Sequence, residues 1–216
     1  MNLRTIPTGC AELDQNTTGG FPRGKLTDLY GEAAEGQARI ILGLIAKAQQ
    51  KGLLCAYVDG GRGIDLAAAR AAGVDLTSLL VCQPASVEEA TDLALTIVQT
   101  RQVGLVVVDS LNLLPIRDGS DPESHEGVRY RSQLAVRTTG AIYRAAGLTG
   151  CAVVFSARSV DRGAQDNSSF GSNALRFYAD LRVEVSSPSG TNGIAVAKVR
   201  KHKRAPYRPD NQAMVG

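Results

Sequence analysis

Apolar positions along this chain fall in short continuous runs separated by stretches with helical spacing. Leu26–Gly31 (LTDLYG) reads as a strand, and 36–51 as a helix closed by Gly52. The run 53–59 is a second strand, followed by a helix over 64–72 with Gly73 in the position that ends helices in a left-handed turn. Leu79–Cys82 is a third strand. Ser86, with Glu89 three residues on, forms a capping box opening a helix to about Arg101, and 104–109 (GLVVVD) is the fourth strand. Strands that are apolar throughout, rather than alternating, are buried on both faces. Alternating with helices, they specify a mostly parallel α/β sheet covered on both sides, with binding sites at the carboxyl ends of the strands.

The pattern then loosens. Residues 117–124 are polar and lead into a long helix ending near 146–147, and 151–156 is a fifth strand. Residues 157–172 (ARSVDRGAQDNSSFGS) have no usable period and are rich in Gly, Ser, Asn and Asp, so a functional or disordered loop is expected there. Two alternating segments, 181–186 and 193–199, suit an antiparallel extension of the sheet. With no repeat or linker, the expectation is one domain over 1–210 and a short tail, 211–216, offered as a partner-binding segment.

Composition narrows the class. The chain has 216 residues, 44% of them apolar and 21% charged, which fits one compact core and excludes a disordered or fibrous chain. No apolar run long enough to span a membrane is present, and the start, MNLRTIPTGC, lacks the apolar stretch of a secretory signal, so the cytoplasm is the expected compartment. Cys10, Cys55, Cys82 and Cys151 are widely separated and three lie in apolar runs, pointing to buried, reduced thiols rather than disulfides or metal ligands. The net charge of +3 is an average: six of the 24 Lys+Arg fall within 198–208 with no acid, leaving 18 basic against 21 acidic residues elsewhere. An anionic partner would be met at that basic edge.

The turn after the first strand carries the chemistry. Gly31-Glu-Ala-Ala-Glu-Gly36-Gln37-Ala38 has the frame of a Walker A loop, whose glycines let backbone N–H groups curl round a phosphate at a helix N-terminus. Such a loop also needs a lysine and a hydroxyl residue next. Here those places hold Gln37, with no charge for the phosphates, and Ala38, which cannot ligate magnesium, while Glu32 and Glu35 add carboxylates to a cradle for anions. Tight binding of a magnesium nucleotide is therefore not expected. The plain alternative is a chance pair of glycines at a strand-to-helix turn.

The segments IPTGCAELDQNTTGGFPRGKLTDLYG, AQQKGLLCAYVDG, GVDLTSLLVCQPAS, GLVVVDSLNLLP, FGSNALRFYADLRVEV and KVRKHKRAPYRPD stand in the order of the core ATPase domain of bacterial RecA recombinases. The chain resembles that family from about Ile6 to Asp210, which implies a RecA-like P-loop core. The resemblance also implies roles. Walker B Asp109 with Ser110 and the adenine-contacting Asp65 are retained. Gly61 stands where the family has its catalytic glutamate, Ala157 where it has a γ-phosphate-sensing glutamine, and Ala68 where an aromatic ring stacks on adenine. With Gln37 and Ala38, these departures imply that hydrolysis, catalytic residues, a bound cofactor and a metal are all absent. The family's N-terminal docking arm and smaller C-terminal domain have no counterpart, so self-polymerisation is not expected.

Other features of the resemblance are kept. Lys201-His202-Lys203 matches the Lys-x-Lys pair that reaches a neighbour's nucleotide, although a solvated basic strand end is the plain alternative. The family's DNA-gripping loops correspond to 116–126 and 158–172. Arg158, Arg162 and Arg176 are candidate phosphate contacts and Phe170 a candidate stacking group, against a local excess of acids at Asp118, Asp121, Glu123, Glu126, Asp161 and Asp166. Tyr130, Arg137 and Arg144 fall on one helical stripe. The reading that follows is a RecA-like accessory protein of DNA repair, similar to ImuA-type proteins that support translesion synthesis. Its expected partners are RecA filaments or polymerase subunits, with single-stranded DNA as a further candidate and no membrane. A divergent DNA-dependent ATPase and a scaffold without DNA contact are the competing readings.

Overall fold

The computed structural model describes residues 4–158, 172–187, 194–203 and 211–216. The anticipated alternation is present. After a small antiparallel ribbon, β1 (Thr5–Ile6) and β2 (Phe21–Pro22), with α1 (Ala11–Asn16) between them, come β3 (Leu26–Gly31), α2 (Ala34–Gln50), β4 (Leu54–Asp59), α3 (Leu66–Ala71), β5 (Leu79–Cys82), α4 (Val87–Gln99) and β6 (Val103–Asp109). A 3-10 turn (Leu111–Leu113) leads to α5 (His125–Thr149) and β7 (Ala152–Arg158), and then α6 (Ser172–Tyr178), β8 (Leu181–Ser186), β9 (Ala195–His202) and β10 (Gln212–Val215).

One eight-stranded sheet runs in the order β10-β9-β8-β3-β7-β6-β4-β5. All neighbours from β8 to β5 are parallel, and β9 and β10 are antiparallel. Each inner strand feeds two cores. In β6, Leu105 and Val107 face α2, where Ile40, Leu44 and Ile45 are buried, while Val106 and Val108 face Ala94 of α4 and Leu134 and Ile142 of α5. Two-sided burial is the physical reason these strands read as unbroken apolar runs.

Element ends shift by a few residues from the sequence reading, as in α3 (66–71 rather than 64–72) and β9 (195–202 rather than 193–199), and four differences bear on the site and the sheet edge. Helix α2 begins at Ala34, so Gly36 lies inside its first turn. Helix α5 continues past Gly147 to Thr149 because the left-handed residue that ends it is Gly150, at φ 74°. Strand β8 is parallel to β3 and only its far side is antiparallel. The presumed tail, 211–216, contains β10, hydrogen-bonded to β9 through Gln212 to Val215, with Ala213 and Val215 buried. Its alternation of buried and exposed residues is too short a period-2 signal to separate from an exposed end.

Candidate functional site

The phosphate-loop frame sits at the carboxyl end of β3, flanked by β7 and β8. Gly31 has φ 141°, and a Cβ there would overlap the Val185 carbonyl oxygen of β8. The Ala33 N–H donates to the same carbonyl at 3.2 Å. At Gly36 a Cβ would overlap the Ala195 methyl of β9 and crowd Val185. Both glycines are thus required by the close approach of this turn and helix to β8 and β9, whatever occupies the loop.

Gln37 is 2% exposed and turned into the sheet. Its Nε2 donates to the Gly31 carbonyl at 2.8 Å, and its Oε1 accepts from the Ser156 hydroxyl at 3.0 Å. Its two polar ends thereby join β3 to β7 across the base of the loop. Asp109 ends β6, lines the same cavity as Gln37 and accepts the Tyr57 hydroxyl at 2.5 Å. Asp65, to which the family resemblance assigns an adenine contact, is the N-cap of α3, its Oδ1 accepting the N–H groups of Ala67 and Ala68 at 2.8 and 3.0 Å. Asp59, which the sequence reading passed over, is 1% exposed and organises the turn toward α3 by accepting the Gly63 N–H at 2.9 Å. Its signal was an acid at the end of an apolar strand, the pattern that Asp109 also shows.

These groups surround a cavity of about 380 Å³. Its walls include Gln37, Ala38, Ala68, Tyr57 and Ser156, and its charged lining is three carboxylates (Glu35, Asp65, Asp109) against one guanidinium (Arg39). Such a balance disfavours a polyanion. Gly61 lies nearby, its N–H 3.4 Å from the Asp109 carbonyl, and Ala157 is buried in β7. Among the described residues no three His, Cys, Asp or Glu side chains gather as metal ligands.

The loop matching the first DNA-gripping segment is built from acids. Asp118 and Asp121 each accept an N–H two residues on, from Ser120 and Glu123, and Ser124 caps α5. Beneath it, Arg131 donates to the carbonyls of Leu111 and Leu114 at 2.8 and 3.0 Å, and Glu88 accepts the Tyr130 hydroxyl and the Arg117 N–H. Burial opposes ionisation of Glu88, yet the hydrogen bonds it accepts hold it below its ordinary value. Of the second segment, Arg158 ends β7 opposite Gly31, while Arg162 and Phe170 lie outside the described residues. Arg176 is exposed on α6.

The Lys-x-Lys pair has a local occupation. Lys201 Nζ donates to the Arg176 carbonyl at 2.6 Å, and Lys203 Nζ to the Tyr178 carbonyl at 3.3 Å, so both ammonium groups sit on the C-terminal carbonyls of α6. That is the negative end of the helix dipole. Burial, then the neighbouring Lys203 and Arg182 charges, pull Lys201 below the usual lysine range. Beside this pair Phe177 is 72% exposed, its ring edge-on to Tyr178 at 5.0 Å. The sequence reading missed Phe177 because an aromatic in a helix predicts burial by default.

A mostly parallel sheet with this strand-to-helix turn, an acid at the end of β6 and this antiparallel edge fits the RecA class of core domain, an ATPase fold. The RecA N-terminal domain matches residues 1–204, and the chain belongs to that family. It is similar to the Protein RecA of Nostoc sp., 34% identical over 224 residues, covering 95% of this chain and 61% of the relative. It is also similar to that of Arthrospira platensis, 35% identical over 222 residues (95% and 60%), and that of Brucella anthropi, 34% over 196 residues (86% and 53%). The chain thus spans about 60% of the length of the cyanobacterial relatives.

Proposed function

We propose that this RecA-family chain is an accessory protein of DNA repair that engages a RecA-type protomer or a translesion polymerase subunit without hydrolysing ATP, in the manner of ImuA-type proteins. The observation that carries the reading is Gln37, buried at the place of the phosphate-binding lysine with its amide committed to Gly31 and Ser156. Freeing it for a ligand would strand the Ser156 hydroxyl in the sheet, at a cost of about 1–3 kcal/mol. Ala38 carries no side-chain oxygen for magnesium, and the acidic lining repels phosphates. The residues present do not fit a magnesium-bound triphosphate.

Protein contact is favoured over DNA contact for the described surface. Phe177, Arg176 and Lys203 are exposed, with the half-buried Lys201 beside them, on α6 and at the end of β9, whereas residues 117–126 present four carboxylates against the single guanidinium of Arg117 where a DNA backbone would need cations. The 158–172 arginines stay as the candidate contacts to single-stranded DNA. The test combines two measurements. Titration calorimetry with magnesium-ATP is expected to give no heat of binding, and steady ATP turnover on single-stranded DNA would sink the inactive reading. Adding the protein to bacterial RecA filaments is expected to change their length or ATPase rate, and Phe177→Glu to remove that effect. Phe177 suits this better than Lys201, whose loss also uncaps α6. No change with either form removes the RecA partner.

A further inference from the structure

The cavity beside the β3–α2 turn repels a triphosphate, and the same lining defines what it would attract. Asp109 is half-buried at the end of β6, where its Oδ2 accepts the Tyr57 hydroxyl. Glu35 and Asp65 are exposed and stand at the mouth, one in the first turn of α2 and the other at the N-cap of α3. Arg39, the one cation of the lining, is exposed as well. None of these four groups enters an ion pair among the described residues, so three carboxylates less one guanidinium leave the lining at −2. The remaining wall is largely apolar, with Ile41, Leu42 and Ile64 offering only hydrocarbon.

A metal ion does not answer that charge. Magnesium asks for roughly six oxygens at about 2.1 Å, and among the described residues no three acids gather that closely. Carboxylates held apart around a cavity of about 380 Å³ with hydrocarbon walls complement a longer cation, one whose methylenes lie on the walls while its charged ends reach the acids.

We propose that this cavity binds a linear organic dication of the polyamine class, two ammonium groups on an alkyl spacer, with one end at Asp109 and the other at Glu35 and Asp65. The inference rests on the reading that no magnesium triphosphate occupies the cavity. A monoamine would leave one end of the site unanswered, and a neutral base would leave both. A lysine side chain from a partner protein likewise brings a single charge, with its backbone where the second is needed.

The experiment titrates the full chain, in low-salt buffer that leaves surface charges unscreened, with cadaverine, pentylamine, magnesium chloride and an acetylated lysine tripeptide, and follows amide shifts in nitrogen-15 spectra. Cadaverine is expected to bind about tenfold more tightly than pentylamine, with shifts centred on Ile64, Asp65, Ala68 and Asp109. Asp109→Asn is expected to weaken it about tenfold, and so is the pair Glu35→Gln and Asp65→Asn. In that pair asparagine still caps α3, so the fold is kept while the charge is lost. Arg39→Gln, which removes the opposing cation, is expected to tighten binding. Failure of cadaverine to bind, equal affinity of the two amines, shifts centred elsewhere, or unchanged affinity in the carboxylate variants would overturn the proposal. So would magnesium alone producing the same shifts, which makes the cavity a metal site. Binding of the lysine peptide without cadaverine overturns it too, by assigning the cavity to a partner's side chain. Each of these results leaves the inactive reading standing, whereas magnesium-ATP that displaces cadaverine and turns over would sink both.

Discussion

Gln37 illustrates how one residue can change what a loop is for. Its amide donates to one strand and accepts from a side chain of the next, so this side chain, in the first turn after the loop, is a buried cross-strand tie. Gln37→Ala is expected to lower stability by about 2 kcal/mol in chemical denaturation, because a buried carbonyl and hydroxyl lose their partners. Nucleotide affinity should not change. The thiols sort by burial in the same way. Cys55 and Cys151 are inside the sheet, where burial pushes both to about 12, whereas Cys10 and Cys82 are half-exposed. Alkylation of the native protein should therefore reach Cys10 and Cys82 and spare the other two until unfolding, as peptide mass mapping would read. The folded state holds protons that the unfolded chain gives up at its ordinary thiol value of 9.0, so stability falls as pH rises from there through about 12. A urea midpoint that held constant over that window in the wild type would contradict this.

Among the elements, α6 is the one whose surroundings say most. Too short to be stable alone, it ends against Lys201 of β9 and Lys203 just beyond it, which neutralise its C-terminal carbonyls. Lys201→Ala and Lys203→Ala should each cost about 1 kcal/mol in thermal or urea unfolding. Such a loss would give the Lys-x-Lys pair a role within this chain besides any contact with a partner. Helix α2 carries the opposite constraint, since Gly36 leaves no room between it and β8 and β9. Gly36→Ala is expected to destabilise by about 1–3 kcal/mol through overpacking, although alanine is the better helix former. A neutral or stabilising result would mean that the helix start can move away from the sheet.

For the molecule as a whole, the sheet's antiparallel edge is guarded from within. The outer side of β10 is met by α1: Glu12 accepts the Met214 N–H at 2.9 Å and Asn16 donates to the Gln212 carbonyl at 3.0 Å. Side chains thus take hydrogen bonds that an added strand would otherwise take. Removing residues 211–216 would bare β9 and the apolar groups under Ala213 and Val215, and static light scattering should then register association. The order of strands and helices from β3 to β7 and the two-sided burial of β3, β4, β6 and β7 were legible in the chain, because periodicity is local, whereas β1, α1, β2, α6 and β10 are too short to show a period of their own. Where the Gln37 amide turns was not legible, since Ser156 lies 119 residues away. Nor were the occupation of Lys201 by α6 or the joining of α1 to β10 across about 200 residues, as with Glu12 and Met214. Those contacts exist only once the sheet has closed these long loops, and a hydrogen bond between distant residues leaves no period in the sequence that joins them.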